Sequence, residues 1–578
     1  MSRWKELRMR LAKLVPHVGR LAGPFLVLIA IAAGPARDTA AGPTAVGRRG
    51  MVVSVSAPAT AIGVDVLRRG GNAVDAAVAV AFALAVTWPE AGNIGGGGFM
   101  LVYPCGKAQP VVIDYRESAP AAASRDMFAH GPLLAYRLVG VPGTVRGLAL
   151  AHQRFGKLPW HDLVRPAVRL AEDGFAVNTA LAISLEEGLQ HSGYFPELRR
   201  VLGADGGRGC WMPGDRLVQK ELARTLRRIA EDGPDAFYTG NIAGRIVAEM
   251  QAGGGLITRD DLAGYQAKVR KPVHGTYRGY DIYGPPPPSS GGICLTEMLN
   301  TLEPFDLRGH GCWSSYTLHR VIEAMRRAYL DRARYLGDPD WVTVPEHLLS
   351  QSYGKKLAES IHPLRATRSL DLAADIPLAP EGGQTTHFSV LDKDGMAVSN
   401  TYTLEESFGS KVMVRGAGFL LNNEMGDFNP RPGVTALRGI IGTPANEVAP
   451  HKRMLSSMTP VVVARDGKVV LVTGSPGGRT IINTVLCVLM NVIDFDMPLR
   501  EAVAAPRLHH EWLPDVVRVE AGLMKDHSET LAQLRAMGHA IWPKPREQGD
   551  AHSIRVDPRT GRYEGAADRR LDGSAAGY

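Results

Sequence analysis

Between Thr385 and Thr403 the chain is patterned as a β-hairpin with a hydroxyl at each open end. Thr386-His387-Phe388-Ser389-Val390 mixes β-branched, aromatic and polar side chains, as a half-buried strand does. Asp392-Lys393-Asp394-Gly395 is a turn signal, and Met396 to Thr403 reads as the returning strand. With the loop centred on Asp394, Thr385 and Thr403 stand nine residues either side and face each other. Opposed residues hold their Cβ atoms about 5 Å apart, so the second hydroxyl can orient the first. A register slip of one residue would separate them. A threonine hydroxyl is a poor nucleophile without a base in reach, and the α-amine of an N-terminal threonine is such a base. An internal threonine gains that amine only if the bond before it is cut. The pattern suggests a self-processing hydrolase; a threonine-rich strand with no chemistry is the plain alternative.

The 578 residues are too many for one simple core and suggest two domains or one large two-part unit. The net charge of +8 excludes less than it promises, because five of those charges lie in residues 1–40. No basic face interleaved with aromatics remains, so nucleic acid is not an expected partner. Residues 1–40 read instead as a signal peptide. A cationic stretch runs to Arg20, an apolar core spans Phe25 to Ala33, and small residues continue to Ala41. Nine or ten apolar residues span a bilayer poorly, which favours cleavage between about Ala33 and Ala41 over retention as an anchor. Five scattered cysteines without CxxC spacing build no zinc site and no disulfide framework, although one or two bridges remain open.

Further along, Met51 to Val55 reads as a strand and Ala61 to Arg69 as a helix closed by Gly70-Gly71. Asn72-Ala73-Val74-Asp75 opens a helix to about Thr87 that is apolar on nearly every face and should be buried. Gly95 to Gly98 precede a strand, not a helix, so they suit close backbone packing rather than a phosphate cradle. Residues 140–270 look mostly helical, for example Trp160 to Asp173 and Arg216 to Asp232. Four prolines, 285–288, form a stiff connection before another helix, and a further helix runs from about Ser315 to Leu336. Residues 355–384 read as an exposed linker, and past Thr385 strands and turns dominate, with one helix near Thr480 to Asp494. Alternating helical and strand-rich blocks argue for an α/β layered architecture.

Eight separated motifs then occur in one order: GGNAVDAAVA, NIGGGGFM, DYRESAP, PPPPSSGG, GGQTTHFSV, LLNNEMGDFNP, LSSMTP and TGSPGG. In this the chain resembles the gamma-glutamyltransferase (gamma-glutamyltranspeptidase) family of N-terminal nucleophile hydrolases, from about Met51 to Tyr578. The resemblance implies a four-layer αββα sandwich and self-cleavage between Gln384 and Thr385. A helix-rich large subunit, 41–384, would pair as a heterodimer with a strand-rich small subunit, 385–578. It implies γ-glutamyl donors such as glutathione, with water, amino acids or peptides as acceptors, no cofactor and no metal, in a periplasmic or secreted enzyme.

By the same resemblance Thr385 is the nucleophile, Thr403 positions it, and Gly477 and Gly478 form the oxyanion hole. Glycine suits that place because two backbone N–H groups must approach the alkoxide unobstructed. Arg116 offers a planar fork to the substrate carboxylate, with Ser456 and Ser457 completing that site. Glu424 and Asp427 accept from the substrate ammonium. Glu405 stands where many relatives have asparagine, so three acids surround one cation, which favours protonating one of them. In the lid-like loop Pro430–Asn446, Arg438 stands where bacterial relatives have a tyrosine. His509-His510-Glu511 is structural, because adjacent histidines on a strand point to opposite faces. Two rivals stand beside this reading: an acylase for glutaryl-amide or poly-γ-glutamate substrates, and an unprocessed binding protein for amino acids or γ-glutamyl peptides.

Overall fold

Alternate side chains of the central strands enter two different cores. Along Gly50–Ser54, Val52 packs among helices, while Met51 and Val53 meet residues of a second sheet. Gly97–Tyr103 divides likewise, Met100 and Val102 outward and Phe99 and Leu101 inward. In the second sheet Val461 and Val463 face another set of helices, whereas Val462 and Ala464 join the shared inner core. Two sheets packed face to face, each backed by helices, make the four-layer αββα sandwich that the resemblance implied. The chain is described here by a computed structural model covering residues 42–106, 109–129, 134–190, 192–373, 378–380, 385–435 and 439–578. The expected signal peptide, residues 1–40, together with Gln384 and Arg438, lies outside these residues.

Among the described residues each sheet has seven antiparallel strands. The first runs Ser574–Gly577, Gly50–Ser54, Thr386–Asp392, Ala397–Thr403, Gly97–Tyr103, Val111–Asp114, Lys268–Arg270. The second runs Thr44–Gly47, Tyr563–Ala567, His552–Val556, Lys468–Thr473, Val461–Arg465, Tyr280–Gly284, Val273–Tyr277. Both sheets therefore mix strands from before and after Thr385. The hairpin that follows Thr385 sits in the middle of the first.

The helix Ala73–Thr87 is buried along its whole length, as its all-round apolar pattern requires. Its start is set by a capping box. Asn72 Oδ1 accepts from the N–H groups of Val74 at 3.0 Å and Asp75 at 2.9 Å, and Asp75 accepts from Asn72 N at 3.0 Å. The proline connection acts as a strut. Ser456 N donates to Pro288 O at 2.8 Å, and Ser290 N donates to Ser456 O at 2.8 Å, tying PPPPSSGG to LSSMTP.

Three expected segments differ. The helix expected over Arg216 to Asp232 begins at Lys220, because Arg216–Leu217 pairs as a short strand with Phe175–Ala176. The first helix begins at Ala57, not Ala61, because Ser56 precedes it in extended geometry and Pro58 is compatible with a first turn. Residues 355–384 are not a uniform linker. The helix Gln351–Glu359, capped by Ser350, reaches into them, and Leu378–Pro380 pairs with Gly439–Ile441. No helix among the described residues is long and apolar enough to cross a membrane. None of the five cysteines is disulfide-bonded.

Candidate active site

The hairpin register pairs Thr386 with Tyr402 and His387 with Thr401. One step further it sets Thr385 opposite Thr403. Alternation gives Thr385 the same face as His387 and Ser389, toward the second sheet. His387 is wholly buried, its Nδ1 2.8 Å from Thr401 Oγ1 and its Nε2 3.1 Å from Ser389 Oγ. Burial pushes its pKa well below the ordinary histidine value, so it stays neutral. Thr403 Oγ1 accepts from Glu405 N at 2.8 Å. Behind it Asn93 donates to Thr403 O at 2.9 Å and accepts from Gly96 N at 2.9 Å and Thr144 Oγ1 at 2.7 Å. A Cβ on Gly96 would run into the Thr403 carbonyl, so the glycine run serves close packing against the hairpin.

Gly474 to Gly478 link the strand Lys468–Thr473 to the helix Thr480–Ile493. Gly477 and Gly478 have φ of 128° and 57°, a region that favours glycine. The Gly477 carbonyl accepts from Thr480 N at 3.1 Å and Thr480 Oγ1 at 2.8 Å. Among the described residues neither glycine N–H is spent on a loop or turn carbonyl.

Arg116 is fully buried and ion-pairs with both Glu424 and Asp427, with Glu117 at 3.5 Å. Its Nε donates to Met454 O at 3.2 Å. Glu405 lies at φ 82° and accepts from Asn423 Nδ2 at 2.5 Å. Burial, foremost, raises the pKa of Glu405 and Glu424 well above the carboxylate range, although Arg116 pulls both back. Burial likewise raises Glu117 to about 8. One guanidinium cannot balance four carboxylates in low dielectric, so part of the set holds protons.

These groups converge on one cavity. Thr385, Thr403, Arg116, Glu405, Glu424, Asp427, Ser456, Ser457 and Gly478 all line it; Gly477 adjoins it without lining it. Thr385 is 8% exposed there. Charges of both signs beside a hydroxyl and free backbone donors can hold a zwitterion and stabilise an oxyanion.

Residues 59–578 match the family described as Gamma-glutamyltranspeptidase. The chain is 48% identical over 543 residues to a glutathione hydrolase proenzyme of Escherichia coli (strain K12), covering 92% of each chain. The chain belongs to the gamma-glutamyltranspeptidase family. Its fold resembles a cephalosporin acylase from Bacillus halodurans, with TM-score 0.82 and 28% identity over 97% of this chain and 99% of that one. A Helicobacter pylori gamma-glutamyltranspeptidase chain superposes with TM-score 0.53 and 42% identity, over 54% of this chain and 91% of that one.

Several groups at the cavity carry no signal in the sequence. Arg332, Arg479 and Asn446 line it. Asn446 donates to Asp427 O at 2.6 Å and accepts from Leu455 N at 2.9 Å, bracing the acid against the serine segment. His509 and His510 are fully buried, His509 beside Asn483 at 2.7 Å and His510 beside Asp515 at 3.2 Å. His319, Glu323 and His539 bring potential ligand atoms within 4.8 Å of one another. Glu323 already pairs with Arg326 at 3.3 Å and Arg327 at 2.6 Å, so two guanidiniums face any cation placed there.

Proposed function

We propose that this protein cuts itself between Gln384 and Thr385, and then cleaves γ-glutamyl bonds of glutathione and related donors through a Thr385 ester. The placement of Thr385 on the cavity, opposite Thr403, carries the reading. In maturation Thr385 Oγ attacks the Gln384 carbonyl, the acyl group moves from nitrogen to oxygen, and water hydrolyses the ester. Residues 41–384 then end in a carboxylate, and residues 385–578 begin with the threonine amine. Because strands of both pieces interleave in each sheet, the two chains stay together as a heterodimer.

In turnover Thr385 Oγ attacks the γ-carbonyl and its proton passes to the α-amine, a group of unperturbed pKa about 7.7–8.0. Gly477 and Gly478 N–H groups hold the alkoxide, and losing one such donor typically costs about 2.7–4 kcal/mol. The ammonium returns the proton to the departing amine. Water or the amine of an amino acid or peptide then attacks the ester and regenerates the hydroxyl. The acids Glu405, Glu424 and Asp427 receive the substrate ammonium, and Arg116, Ser456 and Ser457 receive the carboxylate. Arg116 already holds Glu424 and Asp427, so the incoming zwitterion shares an existing pair, its ammonium on the acids and its carboxylate on the fork. The secretory pattern in residues 1–40 supports a periplasmic or secreted location.

The test is a denaturing gel with an activity assay. The parent should run as two chains and turn over γ-glutamyl p-nitroanilide far faster than the glutaryl analogue, which lacks the ammonium. Thr385→Ala should run as one chain and be inactive. A split or active Thr385→Ala would overturn the reading, and preference for glutaryl would favour the acylase alternative.

A further inference from the structure

The cavity wall holds a second buried guanidinium that the scheme above leaves unused. Arg332 stands in the last turn of the helix Ser315–Tyr335, is 9% exposed and lines the cavity beside Ser457. Its Nε donates to Ser290 Oγ at 3.0 Å and its Nη2 donates to Ser457 Oγ at 3.1 Å. Ser290 passes the contact on, donating its own hydroxyl to Ser456 O at 2.6 Å. Arg332 thus braces both halves of the serine pair.

Its partners are neutral. Three other buried guanidiniums have a carboxylate, Arg116 with Glu424, Arg453 with Asp114 and Arg507 with Asp568, while Arg320, which has none, lies over the Tyr316 ring away from the cavity. Arg332 makes no ion pair with a carboxylate among the described residues. A buried cation without a counter-ion is unfavourable, and an anion entering the cavity relieves it. Because Ser457 Oγ accepts from Arg332, its own hydrogen is left to donate elsewhere. Arg116, by contrast, meets the substrate with two acids already attached.

We propose that Arg332, through its guanidinium and the Ser457 hydroxyl it orients, is a specificity-determining residue for the α-carboxylate of the γ-glutamyl group. The inference rests on the γ-glutamyl reading of the same cavity. It adds a second cation to the carboxylate side of the head-group site: Arg116 offers its fork with Glu424 and Asp427 already attached, and Arg332, behind Ser457, adds a positive charge that pairs with no carboxylate among the described residues. Binding then brings one carboxylate to a cation lacking one.

The experiment compares Arg332→Met, Arg332→Lys and the parent, all as the full chain, on three p-nitroanilides. The γ-glutamyl compound has both head charges, the glutaryl compound only the carboxylate, and the 4-aminobutyryl compound only the ammonium. Where turnover of an analogue is too slow, its inhibition constant against the γ-glutamyl compound is read instead. Arg332→Met should raise KM, or the inhibition constant, about ten- to a hundredfold for both carboxylate-bearing compounds, as loss of a charge-assisted contact implies. The 4-aminobutyryl value should stay within about twofold of the parent, and Arg332→Lys should fall between Met and parent for the carboxylate compounds. An equal loss on all three compounds would reduce Arg332 to a structural brace and overturn the proposal, as would an unchanged γ-glutamyl KM. If Arg332→Met does not mature into two chains, Arg332→Lys is judged by the same selectivity. Failure of the parent itself to split or to cleave the γ-glutamyl compound would instead sink the underlying reading.

Discussion

Removing the Asn93 side chain should loosen the hairpin end from behind without touching the cavity. Its amide makes four contacts: Nδ2 to Ala91 O and to Thr403 O, both at 2.9 Å, and Oδ1 from Gly96 N at 2.9 Å and Thr144 Oγ1 at 2.7 Å. Each buried group stranded by Asn93→Ala costs about 1–3 kcal/mol. The vacated space admits about one water, which typically recovers three such contacts, at an ordering cost of about 0–2 kcal/mol. One stranded group plus that ordering gives a net loss of about 1–5 kcal/mol. Asn93→Asp should be at least as harmful, because it turns a carboxylate oxygen toward two carbonyls. Both changes release the Thr403 carbonyl, so self-cleavage should slow as stability falls. The assay follows the one-chain to two-chain conversion on denaturing gels, beside the urea midpoint of the purified protein. If Asn93→Ala matched the parent in both, the view that this amide fixes Thr403 would be wrong.

Two further outcomes follow from local geometry and charge. Gly477→Ala places a side chain at φ 128° and against Thr480 Oγ1, so kcat should fall by about a hundredfold or more through a displaced oxyanion donor, with KM less affected. For Glu117, raised by burial from its ordinary value to about 8, the folded state binds more protons than the unfolded chain between roughly 4.5 and 8. Stability from this group is therefore present at the acid end and lost as pH rises through that window. Glu117→Gln should flatten the decline in denaturation midpoint from pH 5 to pH 8, and an unaltered slope would refute the assignment.

The hairpin was legible because strand alternation and turn chemistry are local: Asp392 to Gly395 set the register that brings Thr385 to Thr403. Trp160–Asp173 was legible for a similar reason, since its amphipathic repeat spans the whole helix. Arg332 was not. It shares its helix with Arg320, Arg326, Arg327 and Arg334, and nothing local tells a cavity cation from an ion-pairing one. Asn93 was equally hidden, because its meaning comes from a carbonyl 310 residues away. The pairing of Leu378–Pro380 with Gly439–Ile441 escaped for want of any period in two three-residue strands. The acid cluster was visible as composition, but the Arg116 fork onto Glu424 and Asp427 required the fold to bring distant loops together.

Whether the chain cuts itself before Thr385 is read from the intact mass and N-terminal sequence of the purified protein. Two polypeptides are expected, one of which starts at Thr385 with a free amine and ends at Tyr578. A single uncut chain that nonetheless hydrolyses γ-glutamyl p-nitroanilide, or a cut at any other bond, would contradict that expectation.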